Sequence, residues 1–413
     1  MKINPVKGTA DYLPSQTLLR DYLQNQILET YRAAGFERIM TPAIEDMENL
    51  EKSEGGDNLN LMFKILKRGD KLDAALAKQD YTHLADLGLR YDLTLPLSRF
   101  YAANRAKLSS PFKCIQIDKS YRAERPQKGR MREFVQCDID ILGSDSPLCE
   151  LELIHTTAAA LLKLDIGSFT IKVNDRRVLK GVLRNIGIAE EKMDTVCVTL
   201  DKWDKVGTEG VLAELGEKEI APEVCEKIVS LLEGGCTLEQ AGELCGEAEY
   251  AQQLKSIIDQ ANELADGRYD VVFDLLLIRG QGYYTGTVFE IQSNKFRGAI
   301  GGGGRYDGLV GKFTGENVPA VGFSIGFERI FQILEEQGFA IPDRRRRVAV
   351  LCDEQQAGQA VRMTDNLRAQ GYEASAFVRP KKLGKFLNKL EEQGFDGFMV
   401  LGESEEPKWF EQK

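Results

Sequence analysis

The stretch from residue 112 to 143, FKCIQIDKSYRAERPQKGRMREFVQCDIDILG, constrains the fold more than any other part of the chain. Both of its halves alternate apolar and polar residues, the two-residue period of a half-buried strand. Between them lies RPQKGR, a basic loop with a proline and a glycine. The whole therefore predicts a long antiparallel hairpin. On its second strand Arg132, Phe134, Gln136, Asp138 and Asp140 share one face, while Val135, Cys137, Ile139 and Ile141 occupy the other.

The segments around the hairpin extend this pattern. A helix is predicted after Pro14-Ser15, with Leu19, Leu23, Ile27 and Tyr31 recurring every four residues and Gly35 ending it. FERIMTPAIE then reads as one strand interrupted by Pro42, a residue that cannot donate to a ladder and so marks an edge, a bulge or an interface. LGLRYDLTLPLSRFYAAN reads as a strand leading into a helix, and a further helix is predicted over about 147–164. From about 175 to 268 the runs become short, charged and helical, and strands resume with YDVVFDLLL, YYTGTVFEIQ and the glycine run GGGG at 301–304. Strands, then helices, then strands imply an α+β domain over 1–334, built on an antiparallel sheet with a helical insertion. EEQGFAIPDRRRR is the best linker. Beyond it, strand and helix alternate over 344–413, as in a small α/β domain with a largely parallel sheet.

Composition narrows the function classes. At 413 residues the chain exceeds one ordinary core, and two or three domains are expected. No run is long and apolar enough for a membrane span, and the N-terminus lacks a signal-peptide core, so a cytoplasmic protein is expected. Eight cysteines without a CxxC pair, and only His83 and His155 to join them, predict no protein-held metal site. The net charge of −10 argues against non-specific coating of nucleic acid. It is unevenly spread, since residues 344–413 carry 13 basic and 11 acidic groups, a net +2.

Chemistry concentrates at four places. The hairpin carries Arg122, Arg125, Lys128, Arg130 and Arg132 among Glu124, Gln127, Glu133, Gln136, Asp138 and Asp140. A solvated sheet face would account for that mixture. So would a site for a zwitterion joined to a phosphate, because guanidinium groups and carboxylates bind the two ends of such a ligand. RGQGYYTGTVFE, with Arg279 and two adjacent tyrosines, is the second place, and GFSIGFER, running into a helix at Glu328-Arg329, is the third. The glycine run is the fourth. It has no following Lys-Ser/Thr, which a P-loop needs, and it lacks the βαβ context of a dinucleotide fingerprint. Glycines within a strand instead mark close approach by a ligand or a backbone, and this run reads as the floor of a cavity.

Taken together these segments resemble the class II aminoacyl-tRNA synthetases, and within them the histidyl-tRNA synthetase family. The passage from Gly35 to Glu45 with Pro42 resembles the first class signature, YRAERPQKGRMREFVQCDID the second and VGFSIGFERI the third. RGQGYYTGTVFE and GGGGRYDGLV are similar to segments particular to the histidine enzymes, and KGTADYLP and LRYDLTLPLSRF also match. The resemblance implies activation of L-histidine by ATP with Mg²⁺, followed by transfer to the 3′ end of histidine tRNA, by a homodimer. It places Arg122 and Arg279 as catalytic groups on the α-phosphate and the substrate carboxylate. Arg122, Glu124, Arg130 and Arg329 would bind ATP. Asp92, Thr94 and Gln136 would take the α-amino end of histidine, Asp140, Tyr284 and Tyr306 the imidazole, with Tyr283 backing the pocket. The last domain would bind the anticodon.

Two features depart from the family pattern. Gln281-Gly282 stands where many members have Leu-Asp, and the last domain stops at LGESEEPKWFEQK, short of a strand and helix that the family commonly has. The alternative from another functional class is a synthetase-like regulatory subunit of ATP phosphoribosyltransferase in histidine biosynthesis. Such paralogues usually lose the ATP-binding arginines, whereas Arg122, Arg279 and Arg329 are all present here.

Overall fold

The structure, a computed structural model, describes residues 3–52, 61–79, 81–126, 129–278 and 283–411. These residues form two compact units. One comprises the chain up to Tyr12 with Arg20–Gly338, and the other Leu13–Leu19 with the chain from Phe339 onward.

The predicted first helix spans Pro14–Ala33. Its four-residue spacing buries Leu23, Ile27 and Tyr31 completely. Gly35 follows in the left-handed region at φ 83°, where a side chain would be strained.

The strands of the larger unit are β1 (Glu37–Arg38), β2 (Ile44–Asp46), β3 (Lys64–Leu66), β4 (Ala85–Leu89), β5 (Phe112–Tyr121), β6 (Glu133–Leu142), β7 (Phe169–Asp175), β8 (Asp270–Phe273), β9 (Thr287–Ser293), β10 (Ala299–Arg305) and β11 (Ala320–Gly326). Among the described residues, eight of them form one sheet in the order β1-β5-β6-β11-β10-β9-β7-β8, and β2-β4-β3 form a second. The large sheet is antiparallel through its centre and parallel only at its two ends, β1 with β5 and β7 with β8. The predicted hairpin is β5 with β6, in register from Phe112 opposite Leu142 to Tyr121 opposite Glu133.

FERIMTPAIE is not one strand. Its two ends, β1 and β2, join different sheets, with Pro42 between them. The buried side chain of Arg90 holds this crossing. It donates to the Thr41 carbonyl at 2.7 Å and the Lys119 carbonyl at 2.8 Å, and pairs with Asp118 at 2.9 Å. YDVVFDLLL also forms less strand than its composition suggests. It is extended only over β8, because the Asp274 carboxylate accepts from the Leu276 N–H at 3.0 Å and starts a turn. The Asn174 amide then donates to the Leu275 carbonyl at 2.8 Å and fixes that turn.

Between β7 and β8 the chain forms a run of helices from Arg176–Ile186 to Ala248–Ala265. They bury their own apolar cluster, which includes Val182, Val196, Val211, Leu215 and Ile228. The second unit contains β12 (Arg347–Cys352), β13 (Glu373–Val378), β14 (Gly397–Val400) and β15 (Lys408–Trp409), in the order β13-β12-β14-β15, with helices Ala357–Ala369 and Leu383–Glu392. All but the last pairing are parallel. The central strand β12 is buried on both faces, Val348 and Val350 in one cluster and Ala349 and Leu351 in another, as a parallel strand covered by helices requires.

Candidate active site

The face of β6 that carries Phe134, Gln136, Asp138 and Asp140 is not a solvated one. It lines a cleft of about 1160 Å³, together with the glycines of β10 and the start of the helix Phe327–Glu336. Asp138 and Asp140 are only 4% and 3% exposed.

Cationic groups gather at one end. Arg122 follows β5 directly, and its main-chain N–H bonds the Arg132 carbonyl at 2.9 Å across the hairpin. Its side chain donates to the Tyr91 carbonyl at 3.1 Å and lies 5.1 Å from the Phe134 ring. Arg130 and Glu124 form an ion pair at 3.7 Å. Arg329, in the first turn of the Phe327–Glu336 helix, donates to the Ala299 carbonyl and lies 5.9 Å from the Phe296 ring. Arg279 to Gly282 lie outside the described residues, as do Gln127 and Lys128 of the basic loop.

Acceptors gather at the other end. The Tyr306 hydroxyl donates to Asp140 Oδ1 at 2.7 Å, and the Tyr283 hydroxyl to Asp92 Oδ2 at 3.4 Å. The Tyr283 ring lies 5.0 Å from that of Tyr284 and 6.2 Å, edge-on, from that of Tyr306. Asp92 Oδ1 accepts from the Leu95 N–H at 3.2 Å in the first turn of the helix Thr94–Asn104, which brings Thr94 to the rim. Gln136 Nε2 donates to Asp138 Oδ2 at 3.3 Å. Gln136 Oε1, Asp138 Oδ1 and Asp140 Oδ2 are buried with no hydrogen-bond partner. Buried polar atoms of this kind are rare unless a ligand or water meets them.

Burial dominates the electrostatics of this end, because a low dielectric penalises the charged form. It raises the Asp140 carboxyl to about 7, against the lowering effect of the Tyr306 bond and with a further rise from the charge of Asp92. It holds Asp138 well above the usual carboxylate range, with Asp140 adding to the rise. Asp92 is raised for the same reason, opposed by the Leu95 N–H bond and by Arg122. Tyr283 and Tyr306 are pushed well above the ordinary phenol value by burial and stay neutral donors.

The glycine run is strand β10, and Gly301 to Gly304 line the cleft. The run also answers a packing demand within the sheet. A Cβ on Gly303 would stand 2.0 Å from the Gly322 carbonyl oxygen, inside contact distance of neighbouring backbone. No group of three or more His, Cys, Asp or Glu side chains among the described residues is arranged to hold a metal ion.

Two supports escaped the sequence-based reading. Arg20 makes a two-bond pair with Glu328 at 2.6 and 2.8 Å, and Glu328 also accepts from the Val135 N–H at 3.1 Å and the Tyr12 hydroxyl at 3.3 Å. This ties the helix that carries Arg329 to β6. Arg305, beside the glycines, pairs with buried Glu150 through two bonds of 2.7 and 2.8 Å. Nothing local in the sequence marks either pair, since the partners lie 308 and 155 residues apart.

The antiparallel sheet, with an arginine-bearing hairpin and an arginine-bearing helix start converging on one cleft, has the architecture of a class II aminoacyl-tRNA synthetase. The model of the family described as histidyl-tRNA synthetase matches residues 8–330. A histidine--tRNA ligase of Leifsonia xyli subsp. xyli is 41% identical over 415 residues, covering 97% of this chain and 95% of that protein. The crystal structure of histidyl-tRNA synthetase from Nostoc sp. PCC 7120 superposes with a TM-score of 0.79 at 27% identity, covering 96% of this chain and 91% of that one. A Bacillus halodurans structure titled as an ATP phosphoribosyltransferase regulatory subunit/histidyl-tRNA synthetase superposes at 0.78 with 19% identity, covering 97% and 98%, and shares the fold. The chain belongs to the histidyl-tRNA synthetase family.

Proposed function

We propose that this protein is an ATP-dependent aminoacyl-tRNA ligase, which activates histidine as histidyl-adenylate and passes it to the 3′ end of histidine tRNA. In the first step a carboxylate oxygen of histidine attacks the α-phosphorus and pyrophosphate leaves. The nucleophile is already ionised, so the step calls for fixed positive charge rather than a general base. Arg122 suits the α-phosphate and the carboxylate, and Arg279 the opposite side. Arg329 suits the γ-phosphate, with Glu124 and Arg130 positioning the triphosphate. In the second step a ribose hydroxyl of the tRNA attacks the activated carbonyl and AMP leaves.

Asp92, Thr94 and Gln136 form the natural seat for the α-ammonium of histidine. Asp140, Tyr284 and Tyr306 suit the ring, with Tyr283 behind them. Hydrogen-bonding partners for ring nitrogens reject a competitor lacking them, because the buried polar groups would stay unpaired. Glu124 and Glu290 line the cleft and are hard oxygen donors of the kind Mg²⁺ takes beside phosphate oxygens. The bound ion would neutralise charge on the outer phosphates.

The unit from Phe339 onward is assigned to the anticodon stem. Exposed Lys381, Lys382 and Lys385 support that assignment, with Arg379 paired to Glu403 beside them. A homodimer formed around the Pro42 passage is supported by Met40 and Ile44, which are 75% and 50% exposed. A ligase of this kind works where tRNA is charged, in the cytoplasm. Among the described residues no helix is long and apolar enough to cross a membrane.

The observation that carries the proposal is a single cleft with Arg122 and Arg329 at one end and buried, unpartnered acceptors at the other. Histidine-dependent ATP–pyrophosphate exchange, followed by charging of histidine tRNA, tests it. A folded protein that exchanges nothing above background would support the regulatory role instead.

A further inference from the structure

The row of acceptors on β6 holds one group that the assignments above leave unused. Gln136, Asp138 and Asp140 are alternate residues of one strand and so stand on one face, about 7 Å apart in succession. Each uses part of its hydrogen-bonding capacity within the protein, keeps one buried oxygen without a partner and belongs to the lining of the cleft. Asp138 stands between Gln136 and the Tyr306-bonded Asp140 on the strand, so a ligand that reaches from one to the other lies alongside it.

We propose that Asp138 is a specificity-determining residue, whose carboxyl bonds one ring nitrogen of histidine while Asp140 bonds the other. This rests on the histidine-activating reading of the cleft and adds a residue to it. The spans agree. The two nitrogens of an imidazole are about 2.2 Å apart, and with a hydrogen bond of about 2.8 Å on each side they bridge oxygens about 7 Å apart. The backbone repeat between alternate residues on a strand is of the same order, about 7 Å. Asp138 is held for the task. Gln136 Nε2 fixes its Oδ2, and on β11 Ser324 lies opposite it in register.

The pair also solves a matching problem. A neutral imidazole presents one N–H donor and one bare acceptor nitrogen. Two carboxylates could satisfy only the donor. A carboxylate on Asp140 and a protonated carboxyl on Asp138 satisfy both. Burial, with the charge of Asp140, favours a proton on Asp138. The other titratable groups facing the pair are Asp92, Arg122, Tyr283, Tyr306 and Cys114, with Cys137 and Tyr31 behind the strand. Burial keeps the thiols and phenols among them protonated, so the carboxyls of Asp138, Asp140 and Asp92, all raised by burial, are the groups left to change charge.

The test uses the full chain, with Asp138→Asn and Asp138→Ala beside wild type. ATP–pyrophosphate exchange is measured with histidine varied at saturating ATP, and with ATP varied at saturating histidine. Removing one buried hydrogen-bond partner in Asp138→Ala should raise the histidine KM about 10- to 100-fold and leave the ATP KM unchanged. Asn keeps an N–H donor. Asp138→Asn should therefore hold the histidine KM near the wild-type value at neutral pH, yet lose the rise in KM that wild type shows as Asp138 ionises at higher pH. Wild type should discriminate against histidine methylated on either ring nitrogen, and Asp138→Ala should relax that discrimination for one of the two isomers only.

An unchanged histidine KM and unchanged methylhistidine discrimination in Asp138→Ala would overturn the proposal. So would equal rises in the histidine and ATP KM values, or a pH profile that Asp138→Asn leaves intact. Calorimetric titration of histidine without ATP separates this proposal from the ligase reading. A wild type that binds histidine, with Asp138→Ala weakened, but exchanges no pyrophosphate supports Asp138 and defeats the ligase. A wild type that binds no histidine defeats both.

Discussion

Gly322→Ala gives the sharpest test of the acidic end of the cleft. Gly322 lies on β11 directly opposite Asp140 in register. A Cβ there would stand 1.9 Å from Asp140 Oδ1 and 3.3 Å from Tyr306 Cε1. The carboxylate oxygen must retreat by about 1 Å to reach any distance that real Cβ atoms tolerate. It cannot do so freely, because Asp140 is buried and that same oxygen receives the Tyr306 hydroxyl at 2.7 Å. Retreat breaks the bond and turns the carboxylate away from the cleft. A hydrogen bond to a charged group is worth about 1.5–3 kcal/mol, so the histidine KM should rise about 10- to 100-fold. Overpacking should cost about 1–3 kcal/mol of stability. Arg122 and Arg329 are remote from the clash, and the ATP KM should stay near its wild-type value. Exchange kinetics with each substrate varied, alongside a urea denaturation curve, measure all three. A histidine KM within twofold of wild type in a normally folded Gly322→Ala protein would refute the role given to the Asp140–Tyr306 pair. Gly303→Ala is the control, since its Cβ meets the Gly322 backbone oxygen at 2.0 Å and should impair folding rather than histidine binding alone.

Three further outcomes are expected. Arg305→Met should cost about 3–5 kcal/mol in chemical denaturation, because it strands the buried Glu150 carboxylate, and a Glu150→Leu change added to it should recover most of that loss. Arg329→Ala should raise the ATP KM about 10- to 100-fold, the scale of one lost charge-assisted bond, with the histidine KM unchanged in the same exchange assay. Asp140→Asn should change how stability depends on pH. Wild-type Asp140 titrates near 7 when folded and near 3.8 when unfolded, so the folded state holds the extra proton between those values. Wild type therefore loses stability relative to Asp140→Asn as pH rises from about 4 to about 7, a difference read from urea midpoints at several pH values, after which the difference levels off.

Much of the fold was legible because its signals are local. The alternation along β5 and β6, the turn residues between them and the strand–helix rhythm after Arg347 each lie within a few residues of the structure they specify. The polar face of β6 was legible too, down to the register of Asp138 and Asp140. Whether water or a cleft covered that face depended on β10 and β11, which pair beside β6 from more than 150 residues away. The same distance concealed Glu328–Arg20 and Glu150–Arg305, since an ion pair leaves no periodicity in the sequence. FERIMTPAIE misled for a different reason. Its residues favour extended backbone at both ends, but one end pairs with β5 and the other with β4, and Arg90, 48 residues beyond Pro42, holds the crossing between them.

The division of charge along β6 suits both halves of the substrate we propose for this cleft. Histidyl-adenylate carries an anionic phosphate, joined to the histidyl carbonyl as a mixed anhydride, and beyond that carbonyl an ammonium with a polar ring, so a uniformly charged cleft would repel one of them. Phe134 under Arg122 begins the ladder at the cationic end, and Asp140 bonded to Tyr306 closes it at the acidic end. Gln136, a neutral amide between them, keeps the two ends apart while joining them through its bond to Asp138. A slip of one residue in the β5–β6 register would turn Val135, Cys137 and Ile139 to the cleft and put both carboxylates into the apolar core. The cost of that slip makes the strand's alternation a determinant of fold and, on the proposed function, of substrate orientation as well.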